Sequence, residues 1–139
     1  MLLADRVCLI TGGSRGIGLE TARRFAGQGA KVILTGRSEE GVRMACAEVT
    51  SVGTGECHGL TCDVGDPKSV KSAFQQVHSQ FRRLDVLVAN AGILEGAYIS
   101  MVTQDQIDRM FSTNTFGLLY CAQYAARLMA RSGGGSIIT

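Results

Sequence analysis

Apolar residues along this chain gather in short runs that alternate with stretches of helical spacing. Arg6 to Thr11 is a short apolar run ending in glycines, which reads as a buried strand. From Ile17 to about Gln28 the positions Ile17, Thr21, Ala22 and Phe25 recur at helical spacing, and Gly29 is the stop. Lys31 to Thr35 is a second apolar run, and Ser38 caps a helix from Glu39 to about Val52. Glu56 to Thr61 is a third, weaker strand. Asp66 followed by Pro67 starts the next helix: a capping side chain, then a residue whose backbone is preset for the first turn. Val70, Ala73, Phe74, Val77 and Phe81 mark its apolar face. Leu84 to Ala89 is a fourth strand, the most apolar of all. Thr103 and Gln106 have capping-box spacing and open a long helix. Its stripe is Ile107, Met110, Phe111, Asn114, Leu118, Cys121, Ala125 and Leu128, and the glycines at 133–135 end it. Ser136 to Thr139 begins a fifth strand.

Continuous apolar strands separated by helices predict an α/β fold with a parallel sheet covered on both faces. Right-handed crossovers then give a doubly wound sheet, which binds ligands at the carboxyl ends of its strands. The polar oddities of this sequence all lie at those ends. The 139 residues are one domain's worth, 1–139, with no repeat or linker. A composition of 45% hydrophobic and 19% charged residues excludes disorder. A net charge of +2 argues against a dedicated nucleic-acid or membrane-surface binder. Eighteen glycines with no Gly-X-Y period mean tight turns or close approaches, not collagen. Cys8, Cys46, Cys57, Cys62 and Cys121 are odd in number and lack C-x-x-C spacing, so they read as small buried hydrophobes. With no leader-like start and no apolar run long enough to span a bilayer, the expectation is a cytoplasmic, reducing location. His58 and His78 lack metal-ligand spacing, so no metal site is expected.

The first strand ends in Thr11-Gly-Gly-Ser14-Arg15-Gly-Ile17-Gly18. Gly12 lets the chain turn off the strand, Gly16 lets a ligand approach the backbone, and Gly18 lets the helix pack on the sheet. The N-terminus of that helix offers free N–H groups and partial positive charge to a pyrophosphate. An ordinary glycine-rich turn is the alternative, and the strand before and helix after weigh against it. The second strand ends at Gly36-Arg37, close to where an NAD site places a carboxylate on the adenosine ribose. Glycine stands there instead. Arg15 and Arg37 then suit a 2′-phosphate, which predicts NADP(H) over NAD(H). Asp63 and Val64 end the third strand, where Asp63 either contacts adenine or caps a turn. Asn90, Ala91 and Gly92 end the fourth, as scaffold, cofactor wall or both. Asn114 lies on the apolar stripe of the long helix, where a buried amide needs partners.

These motifs, in this order and over the whole chain, resemble the short-chain dehydrogenase/reductase family. The closest flavour is that of 3-oxoacyl-acyl-carrier-protein reductases. The resemblance implies a Rossmann-like fold and hydride transfer between NAD(P)(H) and an alcohol or carbonyl carbon. A small-molecule or acyl-carrier-linked substrate and a homodimer or homotetramer are also implied. It implies a catalytic group of Asn, Ser, Tyr and Lys as well. Only the Asn maps here, onto Asn114, in the role of supporting a lysine-linked water. Ala89 departs slightly, since the family often has asparagine there. The larger departure is at the C-terminus. The family's serine lies beyond the fifth strand, and Tyr-x-x-x-Lys follows it. The residues four places after Tyr98, Tyr120 and Tyr124 are Val102, Tyr124 and Leu128, so that motif is absent. A missing general acid typically costs about 10²–10⁴-fold in rate. Two expectations follow. One is the cofactor-binding part of a longer reductase, truncated within the fifth strand and incomplete on that side. The other is a complete, non-catalytic nucleotide-binding or interaction protein.

Overall fold

The computed structural model describes residues 1–52 and 55–139. Five strands, β1 (Val7–Ile10), β2 (Lys31–Gly36), β3 (Cys57–Thr61), β4 (Val86–Val88) and β5 (Ser136–Ile138), form one parallel sheet in the order β3-β2-β1-β4-β5. Every pairing is parallel, with Leu9 opposite both Ile33 and Leu87. The helices are α1 (Gly16–Gly27), α2 (Glu39–Val52), α3 (Pro67–Phe81), α4 (Gln104–Phe111) and α5 (Gly117–Arg131).

Alternation along the strands sorts the core into two layers. Cys8, Ile10, Val32 and Leu34 pack with Ala22 and Ala26 of α1 and Val42, Ala45 and Val49 of α2. Val7, Leu9, Ile33 and Leu87 pack with Val70, Phe74 and Val77 of α3 and Cys121, Ala125 and Leu128 of α5. Leu9, Ile33 and Leu87 are fully buried, each stabilising the fold by roughly 1.5–3 kcal/mol relative to exposure. Because β2 and β4 flank β1 on opposite sides, the winding reverses between β3 and β4. The crevice of such a sheet opens there, beyond the carboxyl ends of the strands. The expected doubly wound sheet is therefore the observed one.

Several details differ from the sequence reading. The long helix runs unbroken from Gln104 to Arg131, as expected, but its winding changes midway. Between α4 and α5, residues Ser112–Phe116 form a π-helical segment, closed by the Gly117 amide donating to the Ser112 carbonyl. Gly117 is buried against Val64, where a Cβ would sit 2.8 Å from the Val64 carbonyl oxygen. A wider turn thus seats the helix on Val64. Asn114 lies within this segment and is exposed rather than buried, as are Phe111 and Ile107. The apolar stripe is covered only from Gly117 onward, where α5 faces the sheet. Ile17 is 80% exposed, because the first residues of α1 project past the sheet's end rather than onto it. Of the five cysteines, only Cys8, Cys62 and Cys121 are buried; Cys46 and Cys57 are half-buried between α2 and the edge strand β3.

Candidate functional site

The carboxyl ends of β1 to β4 converge on one cleft of about 620 Å³. Its lining includes Gly12, Ser14, Arg15, Gly16, Ile17, Arg37, Asp63, Val64, Asn90, Ala91 and Gly92. Eleven of the twelve residues singled out as cofactor-binding are thus brought together. The twelfth, Gly18, sits just behind the wall. A Cβ there would collide with the Gly12 carbonyl and lie 2.6 Å from Asn90 Nδ2. A more open depression of about 830 Å³ lies against Gly96–Arg109, away from these residues.

The first loop is built by glycine conformations. Gly12 and Gly16 have φ of 62° and 56°, in the left-handed region that side chains disfavour. At Gly12 a side chain would also strike the Ala91 backbone, at 2.9 Å. At Gly16 nothing lies within 4 Å, so the space beside its Cα is open. Arg15 precedes α1 in extended conformation and its side chain makes no capping hydrogen bond. By contrast α3 is capped by Asp66, which accepts from the Lys68 amide, and α4 by a complete capping box of Thr103 and Gln106. Only α1, among these three, turns its first N–H groups toward a cleft without a side-chain acceptor. Such an end attracts anions.

The opposite wall is held by side-chain amides. Asn90 Nδ2 donates to the carbonyls of Thr11 (3.0 Å) and Gly12 (3.1 Å), tying the end of β4 to the glycine loop. The Ala91 amide donates to Thr11 Oγ1 at 3.0 Å. Asn114 grips Ile93 twice: its Nδ2 donates to the Ile93 carbonyl and its Oδ1 accepts from the Ile93 amide, both at 2.8 Å. The amide therefore has partners although it is not buried. A Cβ on Gly92 would lie 3.4 Å from Asn114 Oδ1, so glycine leaves room for this clamp.

At the other side, Asp63 Oδ1 accepts from the Gly65 amide at 2.9 Å, the turn-capping arrangement, while its residue still lines the cleft. Arg15 and Arg37 are exposed on the rim. Among the described residues neither has a carboxylate within ion-pair distance, whereas Arg6, Arg23, Arg24, Arg43, Arg83 and Arg109 all do. Gly36, Ser38, Gly41, Cys62, Ile93 and Thr113 also line the cleft, though the sequence reading named none of them as cofactor-binding. Gly36 had a signal, since it occupies the expected carboxylate position; a Cβ there would sit 2.9 Å from Ser14 Oγ. Thr11 was legible only as the end of a strand. Among the described residues no group of three or more potential metal ligands occurs, and no helix is long and apolar enough to cross a membrane.

The model of the short chain dehydrogenase family matches residues 6–139. The chain belongs to that family. It is 34% identical to secoisolariciresinol dehydrogenase of Forsythia intermedia over 99% of its own length and 49% of that protein's. To a versicolorin reductase of Emericella nidulans it is 36% identical, over 99% of this chain and 52% of the relative. Among solved structures, a short-chain type dehydrogenase/reductase from Mycobacterium ulcerans superposes with a TM-score of 0.92 at 31% identity, covering 97% of this chain and 50% of that one. A metagenomic short-chain oxidoreductase in complex with NADP gives 0.91 at 29% identity, covering 99% and 62%. The chain therefore spans about half the length of the relatives it matches. Those relatives carry names of different substrates, so family membership here means an oxidoreductase scaffold and not one substrate.

Proposed function

We propose that these residues are the cofactor-binding half of an NADP(H)-dependent short-chain reductase. The observation that carries the reading is the α1 N-terminus. It is uncapped, open beside Gly16, and shares its cleft with Arg15 and Arg37. The residues fit a dinucleotide. The N–H groups of Gly16 to Gly18 would take the pyrophosphate, and Arg15 and Arg37 the 2′-phosphate, in bidentate hydrogen bonds. Asp63 and Val64 would border the adenine, while Asn90, Ala91 and Gly92 wall the cleft toward the reacting ring. When bound, the nicotinamide supplies or accepts a hydride, which the substrate carbonyl or alcohol carbon exchanges with it. Asn114 fixes the backbone at Ile93, and so the shape of the wall on that side; by family resemblance it would also support the proton relay. The serine, tyrosine and lysine of that relay would lie downstream of residue 139. A ketone is the substrate class, and a 3-oxoacyl thioester is the first to try.

Fluorescence titration with NADPH and NADH tests the cofactor reading. NADPH should bind at least about tenfold tighter, the value of one charge-assisted contact of roughly 1.5 kcal/mol. Arg37→Asp should reverse the order, because a carboxylate repels the 2′-phosphate and accepts from the ribose hydroxyls. Equal affinities, or NADH preferred by the unaltered protein, would overturn the arginine argument. The intact mass of the protein from its natural source tests the rest. A mass well above the 14.7 kDa of these residues is expected, and a mass equal to it would favour the non-catalytic alternative.

A further inference from the structure

Two cysteines outside the cleft face each other. Cys46 of α2 and Cys57 of β3 have their Sγ atoms 3.2 Å apart, and both are free. They meet where α2 lies close on the edge strand. Glycine at 59 permits that closeness, since a Cβ there would collide with Val42 and lie 3.1 Å from Cys46 Sγ. We propose that this pair is a modification site, at which hydrogen peroxide joins α2 to β3 by a disulfide bond.

Closure needs the sulfurs to approach to about 2.05 Å, a shift of roughly 1 Å, which half-buried side chains at the edge of a sheet can make. The two thiols are also chemically unequal. The Cys57 thiol donates its hydrogen bond to Cys46 Sγ. That donation lowers the Cys46 pKa below its usual value and holds the proton on Cys57. Cys46 is then the attacking thiolate and Cys57 the resolving thiol. The thiolate of Cys46 attacks one peroxide oxygen, the O–O bond breaks, and a sulfenic acid forms with release of hydroxide. The Cys57 sulfur then attacks the Cys46 sulfur, its proton leaves with the departing hydroxyl, and water is released. Overall, two thiols and one peroxide give one disulfide and two waters. The other three cysteines are unlike this pair. Cys8 and Cys121 are buried and pushed up to about 12 by burial, and burial also raises Cys62.

The test is brief peroxide treatment of the purified protein, denaturation, alkylation of remaining thiols and intact-mass measurement. The expected product has three of its five cysteines alkylated and has lost two hydrogen atoms. Digestion after glutamates without reductant should yield the peptide bearing Cys46 linked to the one that begins at Cys57. Cys62→Ser should form the same link, because Cys62 lies on the latter peptide and must be excluded. Cys46→Ser and Cys57→Ser should each lose it and slow disulfide formation at least about tenfold, since the attacking thiolate or its resolving partner is gone. Five alkylated cysteines in the treated protein, or the two-thiol loss persisting in Cys46→Ser, would overturn the assignment.

Discussion

The two ends of this sheet solve the same problem in opposite ways. At the amino end, Asp85 is nearly buried just before β4, at 5% exposure. Its carboxylate is saturated: it accepts from Arg6 Nη1 (3.0 Å), the Val7 amide (2.9 Å), and Arg83 Nε (3.0 Å) and Nη2 (2.6 Å). At the carboxyl end, the backbone donors of α1 meet no capping side chain and, among the described residues, Arg15 and Arg37 stand without acidic partners. Saturated polar groups stabilise a fold, and polar groups left without protein partners in a cleft are free to recognise something else. The difference supports the proposal that the carboxyl end is the working end.

The largest expected effect breaks the working end. Gly18→Ala would drive a methyl group into the Gly12 carbonyl and Asn90. Both are backbone-anchored, so the glycine loop must move. We expect a loss of about 3 kcal/mol in stability, the upper range for overpacking, together with loss of measurable dinucleotide binding. Urea denaturation and fluorescence titration read the two effects. Stability and affinity both unchanged would mean that the loop is plastic and the wall is not fixed by Gly18.

The next effect breaks the saturated end without touching the cleft. Asp85→Asn removes the charge from hydrogen bonds that bridge β1 and β4. A loss of about 2 kcal/mol is expected, typical of charge-assisted hydrogen bonds, with dinucleotide affinity unchanged. The same group sets a pH dependence. Burial works to raise the Asp85 pKa, but hydrogen bonds from Arg83, Val7 and Arg6 outweigh it and hold the carboxyl below its ordinary 3.8. A depressed folded-state pKa means that this stabilisation is fully present above about pH 4–5. It is lost as pH falls through the ordinary value toward the lowered one. In urea melts between pH 6 and 3, the gap between wild type and Asp85→Asn should therefore shrink at the acid end. A constant gap would assign the loss to packing.

These two ends were unequally legible in the sequence. The glycine loop stood out because a strand run, three spaced glycines and a helical run adjoin within one short stretch. Asn90 stood out beside Gly92 for the same reason. Asp85 did not: Arg83 stands two residues before it, but Arg6 and the Val7 amide, which tie it to β1, lie 79 and 78 residues away. The π-helical segment was invisible for another reason. Ser112 to Phe116 fit an ordinary helix by spacing, and one extra residue per turn leaves no compositional trace. That hidden turn is what carries Asn114 out of the stripe and over to Ile93. The exposure of Ile107 and Phe111 was likewise unreadable, since apolar periodicity states which face is apolar and not what covers it.

A smaller effect separates space from backbone strain within the working end. Gly16→Ala meets no atom within 4 Å, yet its φ of 56° costs an L residue about 1–2 kcal/mol. Stability should fall by that amount, less than for Gly18→Ala. Dinucleotide affinity should fall as well, because the added methyl occupies space beside the uncapped helix end. A stability loss with affinity intact would place the ligand away from Gly16.

The smallest effect concerns Asn114, and it asks which end of the comparison this residue belongs to. Its amide is satisfied like Asp85, yet it stands exposed beside the cleft like the arginines. Asn114→Ala removes two hydrogen bonds to Ile93 that together contribute about 1 kcal/mol, because water replaces exposed hydrogen bonds well. The Ile93 amide should then exchange with solvent about fivefold faster, the factor that 1 kcal/mol represents, while amides of β1 are unaffected. Exchange unchanged at Ile93 would mean that the segment after β4 is held by its other contacts, among them the bidentate Arg109–Glu95 pair. Since the clamp fixes the wall and not the glycine loop, dinucleotide affinity should change less in this variant than in Gly16→Ala. That ordering is the sharpest distinction between a residue that shapes the cleft and one proposed to meet the pyrophosphate.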